Sequence, residues 1–302
     1  LSYLPILFLY IFMKSTIGSM IEEHIIEAIG KSRIVIRDGR IVEVGEPILK
    51  SCPLARRFAQ PVEEITPESV RRNIEHRINS FGMCTPDRQI TDEDRFIGFG
   101  ATEMLGAALS VGIIEAVIVA GDGVGTVVVS DPAMLQGIGG RMSGLVSTSP
   151  IQEIIDRILD EGGIVTDPEN AMLDPVKGIE IAHQAGFKSL AVTVAGADAA
   201  ERVRQADPGA IIVVVHTTGI SKEEAERLNP VADIITGCAS LMVREVCGPR
   251  ALMQAGSSIP VFAMTPIGKE IIIERMRQIT HQLIVSHAKL PVRGEDEPTP
   301  LQ

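Results

Sequence analysis

Cys238 follows Gly237 at the end of an apolar run, residues 233–236, and precedes a helical segment over residues 239–246. A thiolate at a helix N-terminus is favoured by the free N–H groups and the helix dipole, which suits a nucleophile or a metal ligand. Its competing role is a small buried hydrophobe. His216 ends the β-branched run of residues 211–215 and opens the turn His216-Thr217-Thr218-Gly219. An imidazole there can serve as acid or base, or donate to a bound anion, with Thr217, Thr218 and Gly219 extending the polar cluster. The alternative is a histidine that only orients its own turn. Asp122 lies in Gly121-Asp122-Gly123-Val124-Gly125, after the apolar run of residues 116–120, where a carboxylate can position a ligand. A second glycine cluster, Gly137, Gly139 and Gly140, carries Arg141. Together the two clusters read as a phosphate or carboxylate cradle. Tight turns and close helix–strand packing are the competing reason for such glycines.

Known nucleotide fingerprints are absent. The spacing Gly121-x-Gly123-x-Gly125 misses the last glycine of G-x-G-x-x-G, and no G-x-x-x-x-G-K-[ST] occurs, so no cofactor is assigned. The four cysteines, Cys52, Cys84, Cys238 and Cys247, form no C-x-x-C pair and read as free thiols of a reducing cytoplasm. Cys52 and Cys84 both sit in proline-bearing loops. With Cys238 they offer an alternative thiolate site for zinc or an iron–sulfur cluster, but no local spacing supports it and no metal ligand is assigned.

From residue 96 the pattern runs strand, loop, helix, repeatedly. Strands are expected at 116–120, 126–130, 190–195, 211–215, 233–236 and 260–264. Helices open at Ser149-Pro150-Ile151-Gln152, Asp174-Pro175, Ser221-Lys222-Glu223-Glu224 and Thr265-Pro266, where a capping side chain or a first-turn proline marks the start. The runs 190–195 and 211–215 do not alternate, so both faces are buried. That predicts an α/β fold, a mostly parallel sheet with helices on both faces. Ligands then bind at the strand carboxyl ends, which collects Asp122, Asp198, His216, Cys238 and Thr265 on one rim.

Before this α/β domain, residues 96–290, lies an N-terminal region, residues 21–95, expected to pack on it. Apolar residues at 21, 25, 26 and 29 have helical spacing. Asp38-Gly39 between two β-branched runs predicts a hairpin with Ile36 facing Ile41 and Arg37 facing Arg40. Thr66-Pro67 opens a helix that Gly82 stops. The polar tail, residues 291–302, is expected to be disordered. Residues 1–12 are apolar but fall short of the roughly 20 residues a membrane span needs. Residues 1–20 read as a non-native or disordered extension, with the functional chain starting at Met13 or Met20.

A chain of 302 residues with 45% apolar residues can bury a large core. A net charge of −11 argues against phosphate-backbone binding, and 3% aromatics with no Trp against base-stacking platforms, so no nucleic-acid partner is expected. No membrane partner is expected either.

Six stretches resemble the methanogenesis marker protein 8 family: residues 23–47 (EHIIEAIGKSRIVIRDGRIVEVGEP), 81–89 (FGMCTPDRQ), 121–151 (GDGVGTVVVSDPAMLQGIGGRMSGLVSTSPI), 191–200 (AVTVAGADAA), 214–226 (VVHTTGISKEEAE) and 233–246 (DIITGCASLMVREV). They recur in the same order over roughly residues 21–280. The resemblance implies a cytoplasmic protein of a methanogenic, anaerobic archaeon. It carries over no catalytic residue. The residues themselves suggest an enzyme that takes a small anionic ligand at the strand ends; the resemblance implies a place for it in coenzyme synthesis or maturation of the methane-forming enzyme. Here Cys238, His216 and Asp122 do the chemistry. The alternative is a non-catalytic assembly or regulatory partner of the methanogenesis machinery.

Overall fold

Continuous apolar runs make the central strands. β4 (Ala116–Gly121), β8 (Leu190–Ala195), β9 (Ile211–Val215) and β10 (Ile234–Thr236) are parallel neighbours in an eight-stranded sheet. Their alternate side chains feed two cores. Val117, Ala191, Val213 and Ile234 face one set of helices, which includes Ala101–Ser110 and Pro266–Arg277. Ile118, Val192, Val214 and Ile235 face Pro175–Gln184, Ala197–Ala206 and Lys222–Leu228. Burial on both faces is the physical reason these strands lack alternation. The computed structural model describes residues 22–95, 97–141 and 144–302; the extension expected over residues 1–20 lies outside the described residues.

The sheet is less uniformly parallel than the sequence suggests. β5 (Gly125–Val129) returns antiparallel beside β4, and β7 (Ile164–Val165) pairs antiparallel with β5. On the other edge β12 (Val261–Ala263) is antiparallel to β10 and to β11 (Met253–Ala255). The short hairpin connections β4–β5 and β11–β12 permit this where a parallel neighbour would need a crossover. One expectation is corrected as a result. Thr265 leaves β12 at the opposite end of the sheet from Cys238, and donates to Asp233 at 2.7 Å.

The N-terminal region builds a second, antiparallel sheet in the order β3 (Arg40–Val44), β2 (Arg33–Arg37), β1 (Glu23–Glu27), β6 (Gly144–Thr148). The helix expected over residues 20–29 is β1 instead. Its inward positions are His24 and Ile26, and a buried histidine hides the period-two pattern. The hairpin forms as expected, with Ile36 opposite Ile41 and Arg37 opposite Arg40. Asp38 and Gly39 both take positive φ, 47° and 69°. The helix α1 (Pro67–Phe81) is capped by Thr66, which pairs reciprocally with Ser69, and it ends on Gly82 at φ 66°.

Two further expectations change. Ser149 does not cap a helix; its hydroxyl accepts from the Glu23 N–H at 2.9 Å, and the next helix starts at Gln152. The tail expected to be disordered is held: Thr299 pairs with Ser51, and Gln302 exchanges backbone hydrogen bonds with Ala239 and Leu241. Among the described residues no helix is long and apolar enough to cross a membrane.

Candidate functional site

β9 and β10 lie side by side with Ile235 opposite Val214. His216 comes two residues after Val214 and Cys238 three after Ile235, so both emerge at the carboxyl ends of neighbouring strands. Both hold left-handed backbone conformations, φ 56° and φ 40°. Such a conformation costs a residue with a side chain about 1–2 kcal/mol, and it persists only where the surroundings impose it.

The surroundings do so through a lattice of hydrogen bonds. Thr217 Oγ1 donates to the Thr236 carbonyl at 2.6 Å, and Thr236 Oγ1 donates to the Val214 carbonyl at 3.1 Å. The Ala239 N–H donates to Thr218 Oγ1 at 3.2 Å. From the other side comes Arg244, in a π-helical turn, Val243–Cys247. Its buried guanidinium donates to the carbonyls of Gly237 (3.0 Å), Ser240 (2.8 Å), Cys238 (2.9 Å) and Ser258 (3.1 Å), and pairs with Glu297 at 3.3 Å. Thr217 and Thr218 therefore join the two loops. Gly219 turns beside them at φ 74°, where Lys31 Nζ donates to the Thr218 carbonyl at 3.1 Å.

His216 and Cys238 open into one cleft of about 1220 Å³ above the parallel strands. Its floor is apolar, with Val119, Ala120, Val194, Ala195, Val215 and Val261. Its charged lining carries the exposed Arg56, Arg57 and Arg95 and the buried Arg275, against the buried Glu103 and the exposed Asp296. The chain as a whole carries −11, so this bias runs opposite to the rest of the protein. Arg275 faces the carbonyls of Gly98 (2.8 Å) and Ile97 (3.3 Å), and Arg56 pairs with Asp296 at 3.1 Å. The His216 ring keeps solvent contact in the cleft while protein crowds around it, and that crowding lowers its pKa. A neutral imidazole is ready to accept a proton. Cys238 Sγ lies 3.5 Å from Thr236 Oγ1.

The other sequence candidates sit elsewhere. Asp122 is buried outside the cleft lining, between Arg88 at 3.0 Å and the Cys84 N–H at 2.6 Å. Burial opposes its charge, but Arg88 and the Cys84 amide outweigh burial and hold the carboxyl below the usual range. Gly121, Gly123 and Gly125 form the tight β4–β5 turn. A Cβ on Gly125 would lie 2.3 Å from the Ala171 backbone, and one on Gly123 2.7 Å from Ile154. Gly137 has the Ile90 carbonyl 2.2 Å from its Cβ position. Arg141 pairs with Asp92, and its guanidinium lies 3.8 Å from the centroid of the Phe81 ring. Of the second cluster, Gly139 and Gly140 line the cleft. Among the described residues no three of His, Cys, Asp and Glu form a metal-holding group.

Two features escaped the sequence. Arg56-Arg57 follow Cys52-Pro53 in an irregular segment, where only their adjacency signals a charged lip. Arg244 stands in a helical stretch and reads as a surface cation; nothing local foretells its four carbonyl partners.

The model of an archaeal family described as an uncharacterized protein conserved in archaea, DUF2099, matches residues 24–277. The chain belongs to this family. The uncharacterized protein MJ0054 of Methanocaldococcus jannaschii is 37% identical over 283 residues, which cover 93% of this chain and 99% of that protein. The DUF2099 match takes in both sheets almost entirely, with His216, Cys238 and Arg244 inside it.

Proposed function

We propose that this DUF2099 protein is an enzyme that binds a small anionic molecule in the cleft over the parallel strands. Cys238 is its nucleophilic thiol and His216 its acid–base partner. The observation that carries this reading is the placement of both side chains, in left-handed backbone conformations, on neighbouring strand ends inside one arginine-rimmed cleft. Thiol and imidazole in one site are the parts of an activated nucleophile. Arg57, exposed at the lip, supplies charge for the anion, and Gly139 and Gly140, at the end of the helix Pro132–Gly139, line the cleft beside it. Asp122 contributes at a distance, by fixing the loop of Cys84.

The resemblance to the methanogenesis marker family supports a place in methane-forming metabolism, in coenzyme synthesis or in maturation of the methane-forming enzyme. Four free cysteines suit a reducing cytoplasm. The test is replacement of Cys238 and, separately, His216 by Ala in the native archaeon, with protein levels measured. Loss of function at normal abundance is the expected result. Normal growth of both strains contradicts the enzyme reading.

A second reading has its own observation. After the last helix, Leu283, Ile284 and Val285 stand in the open, Ile284 at 95% exposure and Val285 at 74%. An exposed apolar run of this kind suits an assembly or regulatory protein that docks a partner there. Normal growth of the site variants together with a growth defect on Ile284→Asp favours it.

A further inference from the structure

Two of the four thiols are closed off. Cys84 is fully buried and shares a hydrogen bond with Asp122, and Cys247 is fully buried with Sγ on the Ala225 carbonyl at 3.4 Å. Cys52 and Cys238 are the two that keep solvent contact. They lie far apart in the sequence, Cys52 in an irregular segment of the N-terminal region and Cys238 in the loop after β10, yet the chain gathers them. The strand-like bridge at Ser51 and the backbone bonds of Ala239 are made with the same short tail segment, Thr299 and Gln302. These partners are the immediate neighbours of Cys52 and Cys238. Cys52 packs against the apolar cluster that buries Ala239. The residues after Cys52, Pro53 and Leu54, line the cleft that Cys238 lines. The two thiols are near enough for their charges to interact.

We infer that Cys52 and Cys238 form a redox pair at the lip of the cleft, and that the pair exchanges with a small-molecule disulfide. The inference rests on the reading of Cys238 as the nucleophile. The Cys238 thiolate attacks one sulfur of the disulfide, forming a mixed disulfide and releasing the first thiol. The Cys52 thiolate then attacks Cys238 Sγ, closing a Cys52–Cys238 disulfide and releasing the second thiol. Two electrons pass from the protein pair to the small disulfide, and the two cysteine protons end on the two released thiols. The order follows from the surroundings. Burial raises the pKa of Cys52, against the N–H groups of Ala55 and Leu54, so at neutral pH it is the poorer first attacker. His216, which lines the same cleft, is the proposed acceptor of the Cys238 proton. The rim of arginines favours a disulfide that carries carboxylate, sulfonate or phosphate groups.

The test uses the full chain, purified anaerobically and fully reduced, treated with 4,4′-dithiodipyridine and mapped by mass spectrometry. The expected product is lighter than the reduced protein by two hydrogens, carries no pyridyl group at either site, and yields a cross-linked peptide pair containing Cys52 and Cys238. Cys52→Ser is expected to trap the pyridyl adduct on Cys238, with release of half as much thiopyridone. Stable pyridyl adducts on both Cys52 and Cys238 of the wild type overturn the redox pair and leave Cys238 as a reactive thiol. An unmodified Cys238 overturns the pair and the nucleophile reading together.

Discussion

His216 and Cys238 leave neighbouring parallel strands with the same left-handed backbone twist, φ 56° and φ 40°, and both side chains enter one cleft. Glycine takes that conformation freely, asparagine and histidine visit it more than most residues, and cysteine does so rarely. The hydrogen bonds of Thr217, Thr218, Thr236 and Arg244 hold it in place.

That twist is measurable as stability. His216→Asn is expected to match or exceed the wild type in urea unfolding. His216→Val is expected to fall about 1–2 kcal/mol below His216→Asn, because a β-branched side chain fits this region worst. Equal stability of the two variants refutes strain at this position.

The depressed pKa of His216 sets a direction in pH. Crowding favours the neutral ring in the folded chain, so the unfolded chain takes up the proton first as pH falls. This contribution is lost from about pH 6.5, the ordinary histidine value, downward through the lower folded value. His216→Asn should therefore flatten the stability curve in that window. A curve parallel to the wild type rules the assignment out.

Asp122 and Arg88 form a pair buried almost completely, 3.0 Å apart. Asp122→Asn leaves a buried guanidinium without its counter-charge and is expected to cost about 3–5 kcal/mol. Its depressed pKa contributes stability above the unfolded carboxylate value, about 3.9, and that is lost as pH falls through the folded one. Denaturant melts of wild type and variant should converge in acid. A constant gap from pH 7 to pH 3 counts against the pair.

The glycine turn offers a contrast of packing with conformation. Gly125 has φ 70° and backbone atoms of Ala171 at 2.3 Å from its Cβ position, whereas Gly196 has φ 80° and open space. Gly196→Ala should cost about 1–3 kcal/mol from backbone conformation alone, because φ 80° with ψ 162° is a region that glycine alone takes freely. Gly125→Ala should cost clearly more, because a backbone cannot give way as a side chain can. Similar thermal shifts for the two would contradict the packing role.

The sequence was most informative where local signals coincide with tertiary ones. The strands at 190–195 and 211–215 match β8 and β9 because burial on both faces leaves an unbroken apolar run. Thr66-Pro67 and Ser221 cap helices as their side chains foretell. β1 reads as helical because its inward His24 breaks the apolar alternation. The helix Pro132–Gly139 was hidden by glycines that allow close approach, including the one under the Ile90 carbonyl. Strand direction has no local signature, so the antiparallel turn of β12 and the position of Thr265 could not be read. His216 and Cys238, after β9 and β10, line the cleft, whereas Asp198, after β8, pairs with Arg227, and Asp122, at the β4–β5 turn, faces Arg88.

On the proposed reading, His216 acts on Cys238 within the cleft. Alkylation of Cys238 by iodoacetamide at pH 7, followed peptide by peptide in wild type and His216→Asn, measures it most directly. Cys238 labelling is expected to slow roughly tenfold in the variant, a modest share of the 10²–10⁴ that positioned acid–base groups supply, while Cys52 labelling stays unchanged. An unchanged Cys238 rate would contradict it.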